Sequence, residues 1–471
     1  MPRLTIQNIR FRPTKTIPSG LQVSGSTREP ASEKTTKICR SRHGCRECRR
    51  RKVKCDETRP VCSRCQKRGL VCFSDPHSPP SVWQLELPWI FAHASTDKVA
   101  QTSKPNSSLL QWWFDTACHI MVIDPQVNPL SYPMMEHITA SESLLHAIQS
   151  ISAAHRRFFD RDSRVDCLKE RDQALQLVQA ELGSKKVSLL ASFFTIFILG
   201  ISSPWIDESV QDYGLEHFLG ARATLDIILS DPANWTDPTV RVITGYYLFW
   251  DMAIALLGEP LDLPALDTDD MSAIVESMQD YCHPIAGRSA KIFYLLGLVG
   301  RYVRRVMSDG KRDLFFEMNT EDALLVWEPT EVNTHVRSLC NSFRSQALIL
   351  LYQVRSFSPL PLLEHQDHIE GQIHSHALSA VSQLLDTPVT QHCFNIQAIP
   401  LTVAASGLKS ADSDLRQQVV TRLKAIYSTS RVRTILLATS LLEELWELHD
   451  AGVHITYVEL MLSKNWKLTL V

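Results

Sequence analysis

Six cysteines between Cys45 and Cys72 constrain this chain more than any other feature. Cys45, Cys48, Cys55, Cys62, Cys65 and Cys72 follow the spacing C-x2-C-x6-C, a six-residue joint, then C-x2-C-x6-C again, so the segment is an internal repeat of two matching halves. In each half the C-x2-C pair sits on one turn, with both sulfurs able to reach one metal. The third cysteine returns to that metal after a short helix and an extended exit. A disulfide framework is the competing use of so many cysteines. Arg3, Arg10, Arg12 and Lys15 interrupt any apolar run at the start of the chain. No secretory signal is read there, and a metal site is the favoured reading.

Ligand arithmetic sets the metal count. One tetrahedral zinc would use four cysteines, leave two idle and break the repeat. Two zinc ions need eight contacts, which six sulfurs supply if two of them bridge. Such a site is closed by thiolates and keeps no position for water, so it is structural rather than catalytic. It must also supply the folding energy of its segment, because Val53, Val61, Leu70 and Val71 are too few to make a core.

The two halves differ in charge. Between Cys48 and Cys55 stand Arg49, Arg50, Arg51, Lys52, Val53 and Lys54, five cations in six residues; the matching stretch, Gln66 to Val71, has two. A solvated helix intersperses both signs, whereas a run this one-sided repels itself unless phosphates neutralise it. The first half is therefore read as the face that meets nucleic acid and the second as its buttress. The same run also suits a nuclear import signal. The whole chain sharpens this contrast: residues 1–72 carry 19 Lys and Arg against 5 Asp and Glu, and the other 399 residues carry 30 against 46. A basic head on an acidic body implies that only the head is built to meet a polyanion.

With these residues in view, the chain resembles the fungal zinc binuclear cluster transcription factors. The resemblance is carried by the six-cysteine spacing, the cationic stretch and Pro60 in the joint between the halves. It implies a two-zinc cluster held by Cys45, Cys48, Cys55, Cys62, Cys65 and Cys72, with Cys45 and Cys62 as the bridging ligands. It further implies that Arg51 and Lys52 enter the major groove and read a CGG-like triplet, while Arg46, Arg49, Arg50 and Lys54 contact phosphate. Guanine O6 and N7 are good acceptors for such cations, and phosphate contacts set register without reading sequence. Weaker likenesses follow at Ser143–His155, His217–Leu225, Tyr247–Leu257 and Ser440–Asp450, which look like the helical regulatory domain of that family. Control of a metabolic or secondary-metabolite gene set, from the nucleus, is what the resemblance implies.

The domain plan expected from the sequence is a disordered basic arm at 1–38, the zinc module at 39–72, a linker at 73–107 and an all-α regulatory domain at 108–471. Pro76, Pro79, Pro80, Pro88 and Pro105 forbid a continuous helix through the linker. The apolar island of Trp83, Leu85, Leu87, Trp89, Ile90 and Phe91 is expected to dock that linker on the following domain. In the large domain, Thr139-x-x-Glu142 reads as a capping box ahead of a helical stripe at Leu144, Leu145, Ile148 and Ile151. Similar stripes run through Phe218–Leu229, Tyr246–Leu257, Ile292–Val306 and Ile435–Leu448. Gly258-Glu259-Pro260 and Gly310 are read as stops, and residues 358–372 as a loose loop. Val187–Ile201 is too short for a bilayer and reads as a buried helix, so no membrane partner is expected.

Other candidates have plainer readings. Cys39 and His43 are read as bystanders of the cluster. Cys118, Cys167, Cys282, Cys340 and Cys393 are single cysteines expected to be buried thiols. His365, His368, His374 and His376, with Glu364, Asp367 and Glu370 nearby, match no metal motif and read as a solvated loop. Leu441–Asp450 could pass for an acidic activation segment, but Leu441, Leu445 and Leu448 share one helical face and are expected in the core. No nucleophile elbow, phosphate loop, dinucleotide fingerprint or metalloprotease helix occurs, so no enzyme is read. A zinc-supported protein-interaction module and a small-molecule receptor with DNA as its output are the rival classes. A triplet recurs roughly once per 64 positions, too often to address a promoter, so a second reading unit is needed. The proline-broken linker shows no heptads. Double-stranded DNA is thus the expected partner, with a homodimer through the helical domain, a small-molecule effector and the transcription machinery left open.

Overall fold

The computed structural model describes residues 48, 51, 53, 55, 56, 62–68, 105–156, 163–184, 188–206, 210–355 and 363–471. The arm at 1–38, Cys39, His43 and the apolar island from Trp83 to Phe91 lie outside the described residues. Two compact units separate, one holding the cysteine module and the other running from Ser103 to Val471. In the first, a short helix α1 (Ser63–Gln66) is described.

The larger unit is helical. Among the described residues no strand forms, and β pairing is confined to a bridge between His283 and Gly287. Its helices in order are α2 (Ser107–Asp115), α3 (Met135–Ala140), α4 (Glu142–Arg156), α5 (Ser163–Leu182), α6 (Leu189–Ile201) and α7 (Ser203–Ile206). They continue with α8 (Leu215–Leu229), α9 (Pro238–Ile254), α10 (Asp269–Ser277), α11 (Ala290–Asp309), α12 (Leu314–Val326) and α13 (Thr334–Arg355). The last are α14 (Leu363–Leu385), α15 (Ala398–Ala405), α16 (Ser413–Ser430), α17 (Thr434–Asp450) and α18 (Tyr457–Ser463). α4 packs on α5 and α6, α6 on α8, α9 on α11, α11 on α13, and α13 on α14 and α15. One apolar core joins them from Leu109 to Leu468.

The run at Val187–Ile201 becomes α6, buried from Ala191 to Ile201. Thr195, polar inside that run, donates its hydroxyl back to the Ala191 carbonyl at 2.9 Å, which removes the cost of burying it. No described helix is long and apolar enough to cross a membrane. Gly310 ends α11 as expected: its φ of 69° is open to glycine, and its N–H reaches the Val306 carbonyl at 2.8 Å. The stripe at Tyr246–Leu257 belongs to a helix that starts eight residues earlier, at Pro238, where Asp237 accepts from the N–H groups of Thr239 and Val240 at 2.7 and 3.1 Å. Leu441 and Leu445 are buried in the core as expected.

Three expectations need correction. Thr139 does not cap α4; it lies inside α3 and donates to the Glu136 carbonyl at 2.9 Å. Ser141 takes that place, accepting from the Leu144 N–H at 3.2 Å. Glu181 of α5 adds a carboxylate that accepts from the Ser143 N–H at 3.1 Å, where the helix dipole favours negative charge. The loop expected at 358–372 is helical from Leu363 onward, in α14. His374 there pairs with Asp412 at 2.8 Å and His376 packs on the Tyr352 ring, so these two imidazoles are structural; the side chain of His365 lies outside the described residues. Finally, Cys118, Cys167, Cys340 and Cys393 are buried, but Cys282 is exposed.

Charges are buried in pairs. Asp251 of α9 is fully buried and receives Arg301 of α11 through two hydrogen bonds of 2.6 and 2.7 Å. The Tyr247 hydroxyl donates to the same carboxylate at 3.2 Å. Gly297 makes room for this: a β-carbon there would stand 2.4 Å from Asp251 Oδ2. Arg301 also donates to the carbonyls of Gly297 and Pro264, so the pair is tied to the backbone of its surroundings.

Two buried imidazoles are locked neutral. His155 Nδ1 accepts from the Trp112 indole at 3.1 Å and Nε2 donates to the Thr429 carbonyl at 2.9 Å. His283 Nδ1 accepts from the N–H groups of Ile285 and Ala286, and Nε2 donates to the Val242 carbonyl. Burial holds both below the usual imidazole range, His283 down to about 4. Below pH 6.5 the unfolded chain therefore binds more protons at these sites than the folded one. Stability present above pH 6.5 is lost as pH falls, and for His283 the loss runs down to about pH 4 at about 1.4 kcal/mol per pH unit; His155 contributes in the same direction. Thermal unfolding followed by circular dichroism should show a falling melting temperature between pH 6.5 and 4.5; a flat profile would contradict this.

Candidate metal centre and nucleic-acid interface

Four of the six repeat cysteines are described: Cys48, Cys55, Cys62 and Cys65. All four are buried, and they form an apolar cluster of their own. Cys45 and Cys72 lie outside the described residues, as do Arg46, Arg49, Arg50, Lys52 and Lys54.

The backbone explains how the sulfurs gather. The Val53 N–H reaches the Cys48 carbonyl at 3.1 Å, closing a turn that carries Arg51 outward and sends the chain back toward Cys55. Cys62 stands at the N-cap of α1 in extended geometry (φ −65°, ψ 145°), and its sulfur accepts from the Cys65 N–H at 3.4 Å. Asp56, just past Cys55, accepts from the Ser63 N–H at 3.0 Å. That bond clips the exit of the first half to the start of the second. The sequence reading did not single out Asp56, because an exposed aspartate in a joint carries no signal of its own.

Cys48, Cys55 and Cys62 bring their sulfurs within 4.8 Å of one another. Two thiolates on one tetrahedral zinc, each about 2.3 Å from the metal, stand about 3.8 Å apart. Cys48 Sγ and Cys62 Sγ are 3.7 Å apart, a metal-sharing separation and far beyond a disulfide bond. The residues therefore fit a zinc ion, with a further ligand to complete four. Burial pushes the Cys62 thiol up, but the Cys65 N–H and the neighbouring sulfurs outweigh it and hold this thiol below its usual value, toward the thiolate a metal needs. Cys62 belongs by sequence to the second half of the repeat, yet it completes a triplet with two cysteines of the first. The halves are thus joined through its sulfur.

Around this buried cluster the described surface is cationic. Arg51, Arg64, Lys67 and Arg68 are all exposed, with Asp56 the one exposed acid among the described residues of the module. Sulfurs inside and cations outside make a positively faced unit suited to meeting a polyanion.

Comparison with known proteins agrees on both units. The fungal Zn(2)-Cys(6) binuclear cluster domain matches residues 43–81, and the fungal specific transcription factor domain matches residues 108–471. The Zn(2)-C6 fungal-type transcription factor afumD of Aspergillus fumigatus is 56% identical over 36 residues, 8% of this chain and 10% of that protein. The aspercryptin biosynthesis cluster-specific transcription regulator atnN of Emericella nidulans is 47% identical over 55 residues, 12% of this chain and 9% of that one. The sorbicillinoid biosynthetic cluster transcription factor sor3 of Hypocrea jecorina is 57% identical over 35 residues, 7% and 5% of the two chains. The matched stretches thus span about a tenth or less of these relatives. No solved structure matches.

Proposed function

Because the chain belongs to the fungal-specific transcription factors that carry a Zn(2)-Cys(6) cluster, and is a zinc- and DNA-binding regulator rather than an enzyme, we propose that it acts in the nucleus by reading CGG-like triplets. The observation that carries this reading is the sulfur triplet of Cys48, Cys55 and Cys62 beneath an exposed Arg51. Two zinc ions are held by Cys45, Cys48, Cys55, Cys62, Cys65 and Cys72, with Cys45 and Cys62 shared. They act as crosslinks that make the module rigid.

Arg51, exposed in the turn that Val53 closes, and Lys52, its neighbour in sequence, donate to guanine in the major groove. Arg46, Arg49, Arg50 and Lys54 lie along phosphates and set the register. Rigidity matters here because a bidentate contact discriminates between bases only if the donor cannot swing to a neighbour. The target genes form a metabolic or secondary-metabolite set; the names of the Emericella nidulans and Hypocrea jecorina relatives, both regulators of biosynthetic clusters, support that choice. The domain plan proposed with it is an arm at 1–38, the module at 39–72, a linker at 73–107 and the regulatory domain at 108–471.

Fluorescence anisotropy on duplexes with and without a CGG triplet, over a range of salt, tests this. Affinity should fall steeply with salt, with a log–log slope of about −0.9 for each phosphate contacted. Lys52→Ala should narrow the gap between the two duplexes by about 10-fold or more, whereas Arg49→Ala should weaken both alike. The opposite pattern would overturn the assignment of roles. Equal binding to both duplexes by the unaltered protein would overturn sequence reading altogether.

A further inference from the structure

We propose that Asp56 is a positioning residue for DNA reading: its carboxylate fixes the direction of α1 against the turn that carries Arg51, and so sets how sharply the module tells one duplex from another. Asp56 Oδ2 accepts from the Ser63 N–H at 3.0 Å. Asp56 directly follows Cys55, and Ser63 directly follows Cys62. The bond therefore joins the residue after the last cysteine of one half to the residue after the first cysteine of the other. Ser63 is the first residue of α1, and the N–H of a first helical residue has no acceptor within its own helix. An oxygen from outside the helix thus decides where that end points, and a carboxylate is among the strongest acceptors available.

Cys62 and Asp56 hold the same end of α1 in different ways. The Cys62 sulfur meets those of Cys48 and Cys55, all within 4.8 Å of one another. That is one attachment, and a rod held at one point still pivots about it. The Asp56 bond adds a second point one residue further along, from an oxygen carried by the first half. Two points fix a direction. On the first half, the Val53 N–H closes on the Cys48 carbonyl and holds the turn of Arg51, and Cys55 leads out of it to Asp56. On the second, α1 carries exposed Arg64 and leads into exposed Lys67 and Arg68. A fixed spacing between Arg51 and these cations keeps the whole surface in one register on a phosphate backbone, which is what holds a donor at a single base edge. Asp56 is also an exposed acid set among those cations. Negative charge on a face that meets phosphates weakens attachment to every duplex alike. Its two effects are therefore opposite: the hydrogen bond raises discrimination, while the charge lowers overall affinity. That opposition separates positioning from mere support, because loss of a structural prop weakens binding to every sequence.

The inference rests on the DNA reading above, and one of its two tests needs no DNA. The full zinc-loaded chain is compared with its Asp56→Ala and Asp56→Asn variants. At unchanged zinc content, Asp56→Ala should release zinc to an excess of a chromophoric chelator about 5-fold faster, because a pivoting α1 uncovers the sulfurs. Asparagine keeps a side-chain oxygen for the Ser63 N–H, so Asp56→Asn should stay within about 2-fold of the original rate. In anisotropy, Asp56→Ala should bind the CGG duplex about 5-fold more weakly while holding or gaining affinity for the duplex without it. Asp56→Asn should keep the gap between the duplexes and bind both about 2-fold more tightly at low salt. Equal zinc release from Asp56→Ala and the original overturns the clip whatever happens on DNA. An Asp56→Ala variant that weakens both duplexes alike makes Asp56 a structural prop and overturns positioning, as does an unchanged gap. Asp56→Asn behaving like Asp56→Ala in both tests overturns the hydrogen bond as the agent. If the unaltered protein does not distinguish the duplexes, the DNA reading fails and positioning falls with it, while zinc release still decides the clip.

Discussion

Replacing Cys62 with serine should unfold the cysteine module and lower affinity for a CGG duplex by at least 100-fold, while the helical unit keeps its melting temperature. Cys62 is the sulfur on which the two halves meet. It stands 3.7 Å from Cys48, completes the triplet with Cys55 and accepts from the Cys65 N–H. A serine hydroxyl at that place is a poor zinc ligand, and on the bridging assignment its loss removes a contact from both metals at once. Structural zinc contributes on the order of 10 kcal/mol to small domains of this kind, far more than the few valines of the module can replace. Cys65→Ser, which would touch one metal, should retain more zinc than Cys62→Ser. Zinc content by atomic absorption, with circular dichroism and anisotropy on the same samples, checks this. Two zinc ions per chain and affinity within about 5-fold of the original in Cys62→Ser would refute the central place given to this sulfur.

The second large effect belongs to the helical unit. Asp251→Ala should cost about 3–5 kcal/mol, because it leaves the Arg301 guanidinium in the interior without its carboxylate. For a domain of this length that corresponds to a fall of about 5 °C in melting temperature. Replacing both partners by apolar residues of similar size, Asp251→Leu with Arg301→Met, should recover at least half of the loss, since the desolvation cost of both charges then disappears. Scanning calorimetry on the two variants decides it. A melting temperature within about 1 °C of the original in Asp251→Ala would mean that the pair is not the crosslink between α9 and α11 described above.

Much of the site could be read directly from the chain. The repeat of C-x2-C-x6-C placed the cysteines that the structure buries together, and five cations in six residues placed the exposed Arg51 beside them. Helix-forming stretches were visible wherever apolar residues recur on one face, and Gly310 marked a true stop. The failures share one cause. Thr139 and Glu142 have the spacing of a capping box, but tertiary packing drew Thr139 into α3 and supplied a carboxylate from Glu181 instead. The histidines from His365 to His376 looked like a polar loop because four imidazoles and three acids hide the helical face of Ile369, Ile373, Ala377 and Ala380. Cys282 was expected inside with the other single cysteines, and nothing near it in sequence showed that it would face solvent.

Amino-acid order by itself determined what lies within reach of a few backbone turns: the metal-binding repeat, its cationic edge, the helical class of the larger unit and the stop at Gly310. Those features depend on residue spacing and local hydrogen bonds, which the chain carries wherever it goes. Only the tertiary structure decided that Cys62 of the second half joins Cys48 and Cys55 of the first, that Asp251 meets Arg301 fifty residues away, and which side of α12 is covered. α12 buries Glu317 and Thr320 beside Leu324 and leaves Leu314, Phe315, Met318, Leu325 and Val326 exposed, so apolar periodicity alone could not choose the buried face. That choice came from where Glu317 met the Tyr302 hydroxyl of α11 at 2.5 Å and Arg355 of α13 at 3.6 Å, and where Leu324 found the core, contacts that exist only after distant helices have packed.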